Sequence, residues 1–346
     1  MPPETTDMQT DTAARAAATL PGLVVRPYAG EADLPEIARI QNAEWEADGV
    51  RGRTTADELR AWLGHPSEQF DARRDVTMTE VDGRVVAVTQ VDWLDATDGV
   101  REYRSRCWLD PAYRRRGIGT MLLLRSEQRR LQMAASHDTD RPKVLGVGTA
   151  ETNLGGNALF RRFGYEPVRW FFDMERRIDG DLPEVPPLPE GIEVRPTGPE
   201  HARQVWEADL DAFRDHWGGW DPSDASFQRW LDSPEFDPSL QVVAWDGDEI
   251  AGGVLNAIYP EENQALGVQR GWLDSVFTRR AWRRRGLARA LIARSLHLLR
   301  ERGMEAAVLG VDADNPSGAL GLYESVGFAA TERFVAYRRP LEVHAP

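Results

Sequence analysis

Two short stretches carry the plainest chemistry in this chain. Residues 112–123 read AYRRRGIGTMLL and residues 281–292 read AWRRRGLARALI. In each, three arginines run into a glycine, and a helix-like apolar pattern follows at once. A helix N-terminus presents N–H groups that lack intrahelical partners, together with the positive end of the helix dipole, so it attracts anions. Glycine lets the backbone approach an anion with no Cβ in the way. Neighbouring arginines can add charge-assisted bonds to phosphate oxygens. Both stretches read as cradles for a phosphate or pyrophosphate.

The elements around them are duplicated. Arg26-Pro27 answers Arg195-Pro196, and Gly117 answers Gly286, both at an offset of 169. Asp82-Gly83 answers Asp246-Gly247 at 164, and Gly164-Tyr165 answers Gly327-Phe328 at 163. Four anchors in one order mean two copies of a domain, not a small repeat. Each copy reads as a strand, amphipathic helices, a hairpin with Asp-Gly at its turn, a further strand, the cradle with its long helix, another strand, a short helix and a closing strand pair. The fold class is α+β: two tandem domains, each a mixed, mostly antiparallel sheet flanked by helices. The expected boundaries are 21–178 and 191–341. The proline-rich segment 179–190 reads as an extended linker. Residues 1–20 are polar and small, a disordered leader and not a signal peptide.

Composition excludes several classes. Apolar content of 41% with 12 Trp suffices for two cores, while the net charge of -14 repels polyanions and speaks against nucleic acid. The single cysteine, Cys107, rules out an intrachain disulfide and fits a reducing cytoplasm; it reads as a buried small residue. No apolar run is long enough for a membrane helix. His65, His137, His201, His297 and His344 show no metal-ligand spacing, so no metal is expected.

Arg114-x-x-Gly117-x-Gly119 and Arg283-x-x-Gly286-x-Ala288 resemble the R/Q-x-x-G-x-G/A signature of the GNAT N-acetyltransferase superfamily. The resemblance extends over both copies, and the doubled arrangement is similar to that of mycothiol synthase-like actinobacterial proteins. It implies acetyl-CoA as the cofactor, with the pyrophosphate on the cradle's N–H groups and the pantetheine arm in a gap between the fourth and fifth strands. In the second copy the implied contacts are Val276, Phe277, Thr278, Arg283, Arg284, Arg285, Gly286, Leu287, Ala288, Arg289 and Asn315. In the first they are Leu109, Arg114, Arg115, Arg116, Gly117, Ile118, Gly119 and Thr120.

Acetyl transfer to an amine sets further demands. The ammonium must lose a proton, since a free amine has a pKa of about 10, and the departing thiolate must gain a proton or a hydrogen bond. In the second copy NPSGALGLYESVGF places Tyr323 where the family's general acid lies; the first copy has Phe160 there, which cannot donate. Catalysis is therefore expected in the second copy, with the first as a scaffold that keeps its cradle. Asp274 precedes the second cradle on a strand where it shares a face with Trp272 and Val276, and is a candidate base. His216, with Asp215, Trp217 and Trp220, could wall an acceptor pocket and hold a cationic amine through carboxylate and cation–π contacts. The acceptor is expected to be a small-molecule or peptide amine. A catalytically silent acyl-CoA-binding protein is the alternative. Monomer and homodimer both stay open, since a tandem chain can mimic a family dimer.

Overall fold

The computed structural model describes residues 21–315 and 318–341; the expected leader lies outside them. The chain forms two compact units, and they are not contiguous in sequence. Unit 1 comprises residues up to Val168 together with Phe334 onward, and unit 2 comprises Arg169–Arg333.

In unit 1 the elements are β1 (Leu23–Pro27), α1 (Leu34–Asp48), α2 (Ala56–Gly64), α3 (Ala72–Asp75), β2 (Val76–Val81), β3 (Arg84–Asp95), β4 (Arg101–Leu109), α4 (Ile118–Ser136), β5 (Lys143–Ala150) and α5 (Leu154–Arg162). Then follows β6 (Glu166–Arg177), most of which belongs to unit 2. Unit 2 continues with β7 (Ile192–Arg195), α6 (Ala202–Ala212), α7 (Asp224–Leu231), β8 (Val242–Asp246), β9 (Glu249–Ile258), α8 (Pro260–Leu266), β10 (Arg270–Thr278), α9 (Leu287–Glu301), β11 (Ala306–Asp312), α10 (Ala319–Ser325) and β12 (Ala329–Pro340). The strand order in unit 1 is β1-β2-β3-β4-β5-β12, and in unit 2 it is β7-β8-β9-β10-β11-β6. All pairings within these orders are antiparallel except β4/β5 and β10/β11.

The last strand of each sheet is therefore exchanged. Phe334–Pro340 pair with β5, and Phe171–Arg177 pair with β11. The expected contiguous boundaries leave each of these strands with its own copy. EPVRWFFDMERR and AATERFVAYRRP occupy equivalent places after equivalent Gly-aromatic pairs, so pattern alone does not say which sheet each joins.

Local chemistry explains the elements. In β2–β3 the two turn residues Asp82 and Gly83 both have positive φ, as a type I′ turn requires. In β8–β9 the loop is Gly247-Asp248, one residue later than the expected Asp-Gly pair. Of these two only Gly247 has positive φ, which suits glycine at the first central position. Helix α9 buries Leu287, Leu291, Ile292, Leu296 and Leu299, a stripe at helical spacing, against one face of the unit 2 sheet. Helix α6 covers the other face, with Val205, Ala208 and Ala212 against Val243, Leu255 and Phe277. The segment 179–190 is extended, as its prolines dictate, but it is docked on unit 2. Leu182 and Leu188 pack on the core, the Pro183 carbonyl meets His297 Nε2 at 3.1 Å, and Arg294 donates to the Pro186 carbonyl.

Candidate active site

The cradles are built alike. Arg115 and Arg284, with φ of 64° and 61°, are left-handed, as are Gly117 and Gly286, with φ of 83° and 82°. Non-glycine residues rarely adopt this conformation, and it turns successive N–H groups into one concavity. No side chain caps either helix. The first intrahelical bond of α9 runs from Ala290 N–H to the Gly286 carbonyl, and that of α4 from Met121 to Gly117. The N–H groups of Leu287, Ala288 and Arg289, and of Ile118, Gly119 and Thr120, lie ahead of these bonds. No atom lies within 4 Å of where a Cβ on Gly286 would stand, so the concavity is open at that point.

The arginines divide the labour. Arg283 is turned inward: Nε donates to the Thr278 carbonyl, Nη2 to the Ala212 carbonyl and Nη1 to Asp215 Oδ2. Arg114 likewise grips both oxygens of Asp48. These guanidinium groups tie the cradles to the C-terminal ends of α6 and α1, which leaves their backbones to the concavity. Arg284, Arg285, Arg115 and Arg116 are exposed beside it, and Arg289 donates to Ser325 Oγ at 2.7 Å.

Beyond the cradle, β10 and β11 part. They pair only from Arg270–Trp272 to Ala306–Val308, while the strands run on to Thr278 and Asp312. A β-bulge sits at the parting. Leu273 opposes Asn256 and Ser275 opposes Leu255, so Asp274 is the extra residue. The bulge corrects the expected face. Trp272 and Asp274 both meet Tyr259, but Val276 packs against the α9-side core, while Phe277 packs under α6. Arg279 N–H bonds back to the Ala251 carbonyl of β9. By strand alternation Val276 and Thr278 turn their backbone groups away from β9, into the opening. Ser275 pins the bulge to α6 by donating to Asp209 Oδ1 at 2.5 Å.

Asp274 is accessible to solvent yet crowded by protein. Dehydration pushes its carboxyl up to about 7, against the hydrogen bond from Tyr259 and with Glu235 and Glu262 adding to the rise. The Tyr259 hydroxyl donates to Asp274 Oδ2 at 2.9 Å. Trp272 Nε1 and the buried Arg270 both donate to Glu262 Oε1. Tyr323 is 7% exposed; burial alone pushes its phenol up to about 12, so it stays protonated. It shares one apolar cluster with Leu287 at the cradle and with Val276 at the opening. Asn315 lies in the turn after β11, where it donates to the Asp312 carbonyl.

The structure gathers some expected residues and separates others. Asp274 lies two residues past the last β10/β11 pair, and Tyr323 shares a cluster with Val276 beyond it and with Leu287 at the second cradle. His216 stands on the segment after α6, beside Phe213 and with Nδ1 at 3.1 Å from the Trp217 carbonyl, not on the strand that carries Asp274. Asp215, read as an amine-binding acid, is instead paired with Arg280 and Arg283. Sequence reasoning missed Tyr259, Glu262 and Asp209. Only the bulge makes them neighbours of Asp274 and Ser275, and no spacing rule announces it.

Unit 1 differs at the same point. β3 and β4 pair without interruption from Ala87↔Leu109 to Asp95↔Arg101, and β4/β5 pairing extends through Ser105. The outward N–H of Leu109 is taken by Glu44 Oε2 at 2.6 Å. Phe160 packs against Tyr165 and Tyr337. Cys107 is exposed, not buried as expected, because it lies on β4 beyond the last pairing with β5. Crowding by protein, with Glu44 behind it, pushes its thiol up to about 12, so it remains a thiol.

A split sheet with an uncapped helix N-terminus at its mouth defines a class of acyl-CoA enzymes, and comparison with known proteins agrees. The Acetyltransferase (GNAT) family model matches residues 202–328, and an Acetyltransferase (GNAT) domain model matches residues 72–167. The chain is 32% identical over 317 residues to the mycothiol acetyltransferase of Geodermatophilus obscurus, covering 89% of this chain and 94% of that protein. It is 29% identical to the mycothiol acetyltransferase of Salinispora arenicola, with the same coverage. Among solved structures, a GCN5-related N-acetyltransferase from Sphaerobacter thermophilus superposes with a TM-score of 0.67 at 29% identity, covering 93% of this chain and 97% of that one. A tandem GNAT protein from the clavulanic acid biosynthesis pathway gives the same TM-score at 17% identity, covering 93% and 100%, a likeness of fold.

The chain belongs to the GNAT acetyltransferase family. It is a tandem N-acetyltransferase that uses acetyl-CoA. Among the described residues no helix is long and apolar enough to cross a membrane.

Proposed function

We propose that unit 2 transfers the acetyl group to the primary amine of a small molecule, and that unit 1 does not turn over. The observation that carries this reading is the bulge: it sets an accessible carboxylate, Asp274, at the mouth of a strand opening that also meets Tyr323 and an uncapped cradle. The N–H groups of Leu287, Ala288 and Arg289 and the exposed Arg284 and Arg285 hold the pyrophosphate, and the free backbone edge of Val276 and Thr278 receives the pantetheine arm. Bound acetyl-CoA supplies an acetyl group activated as a thioester.

Asp274 accepts the proton that the acceptor ammonium must lose. Because its carboxyl titrates near 7, it is about half ionised at neutral pH and is more basic than an ordinary aspartate. Activity should therefore rise with pH through about 7. Tyr323 keeps its proton over the whole working range and offers it as a hydrogen bond where the leaving sulfur needs one. Full transfer from a phenol at about 12 to a thiolate of ordinary pKa about 8.5 is uphill, so hydrogen bonding is its main contribution. Phe213, His216 and Trp217 form one wall of the acceptor site, with Trp217 tilted against Phe171.

The likeness to mycothiol acetyltransferases over nearly the whole chain makes an amine of the mycothiol type the first acceptor to test. The experiment is release of CoA thiol from acetyl-CoA with deacetylated mycothiol, glucosamine and a lysine peptide, using the whole chain and its Asp274→Asn variant. Turnover of a small amine that Asp274→Asn removes supports the reading. Acetyl-CoA binding without turnover of any amine would favour the silent binding protein.

A further inference from the structure

The carboxyl at the bulge is held by a group that no motif marks. Tyr259 follows the last residue of β9 as the N-cap of α8, which Pro260 opens. Its ring stands edge-on to Trp272 at 6.3 Å and an interplanar angle of 80°, which fixes the direction of the hydroxyl. That hydroxyl donates to Asp274 Oδ2 at 2.9 Å. Trp272 is fixed in turn by Nε1–H to Glu262, which Arg270 also holds. The chain Arg270–Glu262–Trp272–Tyr259–Asp274 is thus continuous from a buried guanidinium to an accessible carboxylate. Unit 1 has no counterpart. Counting from the β3 residue that pairs with Cys107 places Leu94 where Tyr259 stands, and the residue twelve before Gly117 is the fully paired Ser105.

Resting on the reading of Asp274 as the base, we propose that Tyr259 is its positioning residue, fixing Oδ2 so that Oδ1 receives the proton of the acceptor ammonium. The step balances simply. The N–H bond breaks with its electron pair left on nitrogen, an O–H bond forms at Oδ1, and a neutral amine faces a neutral carboxyl. The groups acting on this carboxyl are Tyr259 at the start of α8, Glu262 within α8 and Glu235 from the segment after α7. The two glutamates raise its affinity for a proton, and Tyr259 alone among these groups lowers it. Removing the hydroxyl must therefore move the titration upward. Discounted for solvent exposure, the expected shift is roughly half a unit to one unit.

The test is a carboxyl carbon NMR titration of the whole chain labelled at aspartate, for wild type, Tyr259→Phe and Asp274→Asn, beside the pH profile of kcat/KM with acetyl-CoA and deacetylated mycothiol. Tyr259→Phe keeps the ring against Trp272, so the fold is spared. The expected result is a resonance absent from Asp274→Asn that titrates near 7 in wild type and roughly half a unit to one unit higher in Tyr259→Phe. The acid limb of kcat/KM moves by the same amount, and the alkaline plateau falls by less than about fivefold. An unmoved resonance and limb in Tyr259→Phe would overturn the role of Tyr259 while leaving Asp274 as base. A wild-type rate and profile in Asp274→Asn would instead overturn Asp274 as base, whatever Tyr259→Phe shows.

Discussion

The two copies share a cradle with a left-handed glycine, φ 83° at Gly117 and 82° at Gly286, and differ where the chemistry would occur. In unit 2 a single extra residue, Asp274, breaks the β9/β10 ladder, and the parallel strands stop pairing at Trp272. In unit 1 the ladder is unbroken and pairing continues through Ser105, two residues further by distance from the glycine. Helix interiors diverge as well. Unit 1 buries Arg130 and Glu127 with Tyr165, where unit 2 has Leu299, Leu296 and Phe328. Arg130 is fully buried and also donates to the Gly146 and Tyr103 carbonyls. A satisfied polar network of this kind specifies one packing. Binding apparatus can thus persist in a duplicate while one copy turns its interior to structure and the other opens its sheet.

The sharpest break of this contrast is Asp274→Asn. It should lower kcat/KM by roughly a hundredfold to ten-thousandfold, the usual worth of a positioned base. Placing an acid at the same distance in unit 1, by Ser105→Asp, should restore nothing, since no bulge exists there to expose it. Next comes Arg130→Met, which takes the donor from the Tyr165 hydroxyl and from the Gly146 and Tyr103 carbonyls. Leaving buried acceptors unsatisfied costs ~1–3 kcal/mol each. Thermal unfolding should show a lowered transition, while acetyl transfer measured well below that temperature stays near wild type. The smallest effect is expected of Tyr323→Phe. Loss of a hydrogen bond, rather than of an efficient acid, should lower kcat by about tenfold and leave the acetyl-CoA KM almost unchanged. A drop of a thousandfold would mean that bound substrates bring its pKa down far from 12.

Much of this was legible in the residues. The cradles were, because glycine after arginines before an apolar helix leaves little else for the backbone to do; Arg115 and Arg284 in left-handed conformation are the one feature composition does not announce. That Tyr323 carries a hydroxyl where Phe160 has none is plain in the residues, while its role as acid is what the family resemblance implies. The bulge was not legible. Alternation assigns faces only while the ladder holds, so Val276 was placed on the face of Asp274 and Tyr259 was passed over. The inward turn of Arg283 and Arg114 escaped for a similar reason: an arginine beside an anion site looks like a ligand until its helix-end partners, Asp215 and Asp48, are in view. The exchanged strands escaped because two equivalent sequences fit two equivalent slots.

One comparison tests the division of roles most directly: initial rates of acetyl transfer by Gly286→Glu and Gly117→Glu in the whole chain. A side chain at Gly286 meets no protein atom within 4 Å, so beyond the strain of its positive φ it intrudes mainly on the bound anion. Loss of turnover in Gly286→Glu with a near-normal rate in Gly117→Glu is the result expected if unit 2 is the enzyme. Loss in Gly117→Glu with turnover retained in Gly286→Glu would contradict the assignment and move catalysis to unit 1.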